Sequence, residues 1–219
     1  MADTSAKKIT SRQVLAIAIP VMISNISEPL IGIVDTAVVG HLPQSHYIGA
    51  IAIGSLIFSI LFWGFGSLRM GTGGLAAQAY GADNASELRA VLARAGIISA
   101  AIGILVIITG PLTGWLSFYL IEASPLVEAE ARIYFDIRIW SAPFALVNYV
   151  ILGWFIGIGA TRRALVIQLV LNLTNMALDA LFVLGFSMTA NGVALGTLMA
   201  EIIAAMFGLY LVSRQLQHT

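Results

Sequence analysis

Long apolar runs separated by short polar segments dominate the chain. Runs near the ~20 residues needed to cross a bilayer fall at about 14–38, 48–69, 91–110, 132–157, 165–186 and 193–213. Lipid offers no partner to an open backbone, so each run is predicted to be helical. The expected fold is all-α: a polytopic membrane helix bundle of six transmembrane helices. The first run resembles a signal peptide only at its basic start. Its apolar stretch continues from Val14 to about Val39 without a small-residue cleavage site, as a retained span does.

Composition supports that class. Hydrophobic residues make up 59% of the 219 residues and charged residues 10%, with a mean hydropathy of +0.94. A soluble domain carries roughly 25% charged residues. Net charge is zero and no basic stripe suggests nucleic acid. There is no cysteine, and His41, His46 and His218 lie outside the apolar runs, so thiolate and histidine metal motifs are excluded.

The positions of the basic residues predict an orientation. Lys7, Lys8, Arg12, Arg69, Arg89, Arg94, Arg162, Arg163 and Arg214 would share one side, leaving Arg132 and Arg138 near the other. By the positive-inside rule both termini are then cytoplasmic. This gives a cytoplasmic segment at 1–13, a transmembrane lobe at 14–213 and a cytoplasmic end at 214–219.

A few polar residues interrupt the apolar runs, and they carry the candidate chemistry. Asp35 lies near the end of the first run. Asn172, Asn175 and Asp179 are spaced i, i+3, i+7, on one face of the fifth. A carboxylate at the bilayer centre costs about 2.5 kcal/mol or more, so such groups need a task or a partner. In the predicted orientation Asp35 and Asp179 lie toward the outer side, with Tyr134 and Thr197 within about one helical turn of it. If the two acids approach each other, like-charge repulsion lets the pair exchange a proton. The same oxygens would also suit a small cation such as sodium. A third reading is that they simply hydrogen-bond helices together, at about 0.6 kcal/mol each.

Other features admit plainer readings. Glu28 and Glu201 either line a cavity or pair with an amide. Arg132 and Asp136 are spaced for a local i, i+4 ion pair, Arg138 lies deeper, and Arg69 is expected to snorkel to the inner surface. Pro20 should kink the first helix. Gly153-x-x-x-Gly157 and Gly192-x-x-x-Gly196 permit close helix approach. Gly71-Thr-Gly-Gly has no preceding strand and no following Lys-Ser/Thr, so it reads as packing at a helix end rather than a phosphate loop. The segment 111–131 reads as a loop, with Ser124-Pro125 as its final turn. Asn84 or Ser86 is placed to cap the next helix.

Several motifs in order resemble the multidrug and toxic compound extrusion (MATE) family. They are Leu30-Ile-Gly-Ile-Val-Asp-Thr-Ala-Val-Val-Gly-His-Leu, Ala77-Gln-Ala-Tyr-Gly-Ala, and the Asn175-x-x-x-Asp179 pair. Phe135-Asp-Ile-Arg-Ile-Trp-Ser-Ala-Pro and Leu152-Gly-Trp resemble its DNA-damage-inducible protein F branch. The resemblance implies secondary antiport in a bacterial inner membrane: export of organic cations and toxic compounds against protons or sodium, with no cofactor and no enzymatic step. It implies Asp35 as the coupling carboxylate, Asp179 and Asn175 as its partners, and Tyr134 and Thr197 completing the site. Asn172 joins them by its position on the same helix face. Pro20 would be the conformational hinge. The family has two six-helix lobes, so this chain is expected to correspond to the N-terminal lobe, with 214–219 opening an inter-lobe linker. A C-terminal lobe or a second copy would complete the cavity within the lipid.

Three alternatives remain. A lipid-linked precursor flippase of the same superfamily would place more basic residues in the cavity. An intramembrane aspartyl protease would need a Gly-x-Gly-Asp motif, which is absent. The last is a non-transporting structural membrane fragment.

Overall fold

A computed structural model describes residues 11, 15, 18–23, 37–40, 42 and 44–217. Among them the regular structure is helical, without a strand. The helices are α1 (His46–Trp63), α2 (Gly66–Gly81), α3 (Ala85–Ile108), α4 (Gly110–Leu120), α5 (Pro125–Arg138), α6 (Ala142–Gly157), α7 (Thr161–Ala180) and α8 (Ala190–Leu216). A 3-10 turn, Ile139–Ser141, joins α5 to α6, and a π turn, Leu181–Gly185, extends α7.

Five stretches of these helices are long and apolar enough to cross a membrane: His46–Gly81, Ala85–Ile108, Pro125–Gly157, Thr161–Gly185 and Ala190–Leu216. They correspond to the last five apolar runs. Most of the first run, with Glu28 and Asp35, lies outside the described residues. Pro20 is described, as a buried residue in helical conformation.

Three boundaries differ from the sequence expectation, each for a local reason. The first stretch continues past residue 69 to Gly81, because α2 is rich in glycine and alanine and therefore less hydropathic than it is helical. The segment 111–131 is not a loop. Pro111 occupies the first turn of α4 and Pro125 that of α5, where the missing N–H has no intrahelical partner to lose. Glu128 and Glu130 hide the start of α5 from a hydropathy reading, yet they lie within its first turns. Pro143 likewise opens α6 after the 3-10 turn, so the apolar stretch Pro125–Gly157 continues through it without losing its helix. At the next connection Asn84 caps α3, its Oδ1 accepting from Glu87 N at 3.0 Å. The tight turn between α6 and α7 rests on Gly159, whose φ of 74° lies in the left-handed region.

Packing follows the small residues. Hydrocarbon gives helices no solvophobic reason to associate, so van der Waals fit decides. A Cβ at Gly153 would overlap Arg69 O, one at Gly157 would overlap Gly73 O, and one at Gly73 would sit 3.1 Å from Gly153 O. The Gly153-x-x-x-Gly157 signal thus marks a true backbone-on-backbone seam between α2 and α6. Gly73 is part of that seam in the middle of α2, not at a helix end. Trp154, fully buried beside it, donates from Nε1 to Leu88 O at 3.2 Å and meets Phe155 edge-on. A second cluster centres on Phe58, Tyr134 and Phe135, with Phe58 and Phe135 rings 5.3 Å apart. The outward faces are apolar instead: α3 exposes Ile97, Ile104, Leu105 and Ile108, as a lipid-facing helix does.

Candidate functional site

The buried polar residues of α7 occupy one stripe, as their spacing requires. Asn172, Asn175 and Asp179 are all buried, and Asp179 is fully so. Asn175 Nδ2 donates to Asp179 Oδ2 at 3.0 Å and also reaches Thr197 Oγ1 on α8 at 3.3 Å. Thr197 in turn donates to Val193 O at 3.1 Å. One amide therefore ties a carboxylate to the neighbouring helix. Gly196 makes this possible, because any Cβ there would overlap Asp179 Oδ1. The Gly192-x-x-x-Gly196 pair thus makes room for an acid, where the glycines of α6 make room for a backbone. Asn172 extends the chain downward, accepting from Gln168 Nε2 at 3.0 Å.

Tyr134 stands across from this stripe on α5. Its ring fills the slot left by Gly54 on α1, and its hydroxyl meets Ser55 Oγ at 3.1 Å while accepting from Arg138 Nη1. Because α5 begins at Pro125 and α8 at Ala190, Tyr134 and Thr197 lie about two turns or more into their helices.

An open cavity of about 520 Å³ joins these elements. Tyr134, Asn172, Asn175 and Thr197 line it, and Asp179 stands behind Asn175. Tyr134, Asn172, Asn175 and Thr197, all singled out from the sequence, therefore share one cavity, with Asp179 hydrogen-bonded to Asn175. Asp35 lies outside the described residues, and Pro20 is not among those lining the cavity.

The cavity also holds residues that sequence spacing did not gather. Ser55, Ser59, Gln168 and Asn148 contribute polar groups, and Phe58, Phe62, Trp63 and Tyr149 contribute rings. Arg69 lines it as well. Arg138 and Glu201 face it too. Glu201 Oε2 accepts from Asn148 Nδ2 at 2.7 Å, so it is both a cavity group and an amide's partner. The signals that could have flagged them were single polar residues in apolar helices, visible one at a time but unconnected: Asn148 and Glu201 are far apart in sequence.

The predicted Arg132–Asp136 ion pair is not formed. Arg132 turns back one helical turn to Glu128, at 2.7 Å, and its guanidinium lies 4.6 Å from the Phe118 ring centre. With an acid at both i−4 and i+4, the ring contact with Phe118 accompanies the choice of Glu128.

Fold and site together define an integral, polytopic helical membrane protein with polar residues from several helices gathered around one cavity. The sequence pattern of the MatE family matches residues 20–181, and the chain belongs to that family. It is 38% identical over 201 residues to DNA damage-inducible protein F of Escherichia coli (strain K12), covering 92% of this chain and 44% of that protein. It is 28% identical over 192 residues to multidrug export protein MepA of Staphylococcus aureus (strain NCTC 8325 / PS 47), covering 87% and 42%. The chain thus spans under half the length of these curated relatives. Among solved structures, a MOP superfamily transporter from Pyrococcus furiosus superposes with a TM-score of 0.85 at 22% identity, over 94% of this chain and 48% of that one. An outward-facing multidrug resistance MATE family transporter gives 0.84 at 22% identity, over 94% and 48%. These likenesses give the fold.

Proposed function

We propose that the chain is the N-terminal lobe of a secondary antiporter that exports organic cations and toxic compounds against protons or sodium. The observation that carries this reading is the link Asp179–Asn175–Thr197 at the edge of a cavity that Tyr134 and Asn172 also line. A carboxylate held by an amide, in reach of a hydroxyl and next to an open cavity, is suited to taking up a small cation or a proton. Family membership and the named export activity of the MepA relative support it.

In this mechanism Asp35 and Asp179 form the coupling pair, with Asn175, Tyr134, Thr197 and Asn172 around them. Both termini face the cytoplasm of a bacterial inner membrane, so the site opens toward the outer side. Loading of the acidic pair from outside reshapes the first helix at Pro20 and lowers affinity for the cargo, which leaves outward. Alternating access completes the cycle. The second wall of the cavity comes from a C-terminal lobe or from a second copy of the chain.

Arg69 and Arg138 in the cavity favour a second reading, a flippase for lipid-linked precursors, whose pyrophosphate would need cations. Glu201 beside them offsets that charge, and the exporter reading remains the better supported.

The test is drug-driven proton or sodium movement in proteoliposomes made with the whole transporter. Asp35→Asn is expected to abolish it while membrane insertion is unchanged. Coupled transport at the wild-type rate in that variant would overturn the mechanism.

A further inference from the structure

Asp136 stands on the outside of the bundle, away from the central cavity. It is exposed, as are Ile133 and Trp140 on the same face of α5, and it makes no hydrogen bond or ion pair among the described residues. Hydrocarbon punishes a lone carboxylate, so its depth decides what it can do. The turn after Gly157 leads to Arg162 and Arg163, which hold that end of α6 at a membrane surface. At 1.5 Å per residue, Asp136 lies roughly 32 Å from Gly157, close to the ~30 Å thickness of the hydrocarbon core. It therefore sits at the opposite edge of the core, level with lipid headgroups. Trp115 and Trp140 are exposed beside it, and Trp115 stacks on Tyr119, as aromatic residues do at a membrane interface.

A groove of about 190 Å³ runs from this acid between α4 and α5, bordered by Gly110, Gly114, Trp115, Phe118 and Arg132. The two glycines bring α4 close to α5. A Cβ at Gly114 would sit 3.0 Å from the Phe135 ring, and one at Gly110 would sit 3.3 Å from Ile139. Arg132 borders the groove one helical turn from Asp136. Its Nε and Nη2 both donate to Glu128 Oε1, and its guanidinium lies 4.6 Å from the Phe118 ring centre. That leaves Nη1 without a hydrogen bond among the described residues. An unpaired acid and a cation with a donor to spare thus share one slot at headgroup depth.

We infer that this groove holds the headgroup of a phospholipid bearing a primary amine, with the ammonium on Asp136 and the phosphate against Arg132 Nη1. Both contacts are charge-assisted hydrogen bonds, the strong kind. A primary ammonium brings three N–H donors to the carboxylate. A trimethylammonium carries the same charge with no donor, and its methyl groups add bulk in a slot that glycines have narrowed. An anionic headgroup offers Arg132 its phosphate but leaves Asp136 repelling it. A free amine lacks the acyl chains that would cover Leu112, Leu116 and Ile133, all exposed around the groove. The site lies outside the central cavity and is independent of what that cavity carries.

The experiment is native mass spectrometry of the whole transporter with phosphatidylethanolamine and its N,N-dimethyl and N,N,N-trimethyl forms, all with the same acyl chains. The primary amine is expected to associate roughly fivefold more tightly than the trimethyl form, or better, with the dimethyl form between them. Asp136→Asn should bring that ratio to about one. Asp136→Glu should keep part of it, which separates charge from folding. Asp83→Asn removes a different exposed acid, in the turn before α3, and should leave the ratio unchanged. Equal association of the three lipids with the wild type overturns the inference. So does a preference that survives Asp136→Asn, or one that falls as far in Asp83→Asn. Phosphatidylglycerol binding more tightly than phosphatidylethanolamine would assign the groove to Arg132 alone and overturn it as well.

Discussion

Glycine brings helices together at two seams of this bundle, with different results. Between α2 and α6, Gly73, Gly153 and Gly157 close backbone onto backbone, and the result is a dry wall sealed by Trp154. Between α7 and α8, Gly196 gives up its side-chain volume to the Asp179 carboxylate, and the result is a polar joint beside a cavity. The same small-residue spacing thus serves rigidity in one place and chemistry in another. What separates them is the residue on the opposing helix: a main-chain carbonyl in the first case, an acid in the second.

The sharpest way to break the comparison is to fill the dry seam. Gly153→Leu should cost about 3 kcal/mol or more through overpacking, read as a large fall in melting temperature in detergent. Gly71→Ala and Gly74→Ala, whose added Cβ meets nothing within 4 Å, should instead be neutral or raise stability by about 0.5–1 kcal/mol. Equal losses at all three positions would mean that the seam is not special.

Filling the polar seam should be milder in stability and severe in activity. Gly196→Ala is expected to cost about 1–3 kcal/mol by displacing Asp179 and to lower coupled transport at least tenfold. In an Asp179→Ala background most of the stability cost should vanish. A double-mutant cycle measures this, and a coupling energy near zero would separate the glycine from the acid. The smallest effect belongs to neither seam. Arg132→Gln removes the partly exposed pair with Glu128 and should change stability by less than about 1 kcal/mol, checked by the same thermal scan.

Much of this architecture was legible because hydrocarbon tolerates few alternatives. Five apolar runs became membrane-length helices, and the i, i+3, i+7 spacing on α7 put Asn172, Asn175 and Asp179 on one buried stripe. Two kinds of information were not legible. Helix starts that carry charge, such as Pro125 to Glu130, read as loop, and this hid the first two turns of α5. The cavity's other polar residues sit singly on different helices, so no periodicity joins Asn148 to Glu201 or Ser55 to Tyr134. Their meeting depends on helix rotation and tilt, which packing decides. The partner of Arg132 fell between two equally spaced acids, a choice that local spacing leaves open.

Trp154 gives the molecule an optical consequence. It is fully buried, whereas Trp63, Trp115 and Trp140 are 86%, 58% and 57% exposed. Brominated lipids reach an indole on the bundle's surface and leave one inside it emitting. A variant keeping only Trp154 should therefore fluoresce toward the blue and resist quenching for as long as the α2–α6 seam stays shut. Its emission would report the integrity of the lobe while transport proceeds elsewhere, without an added label.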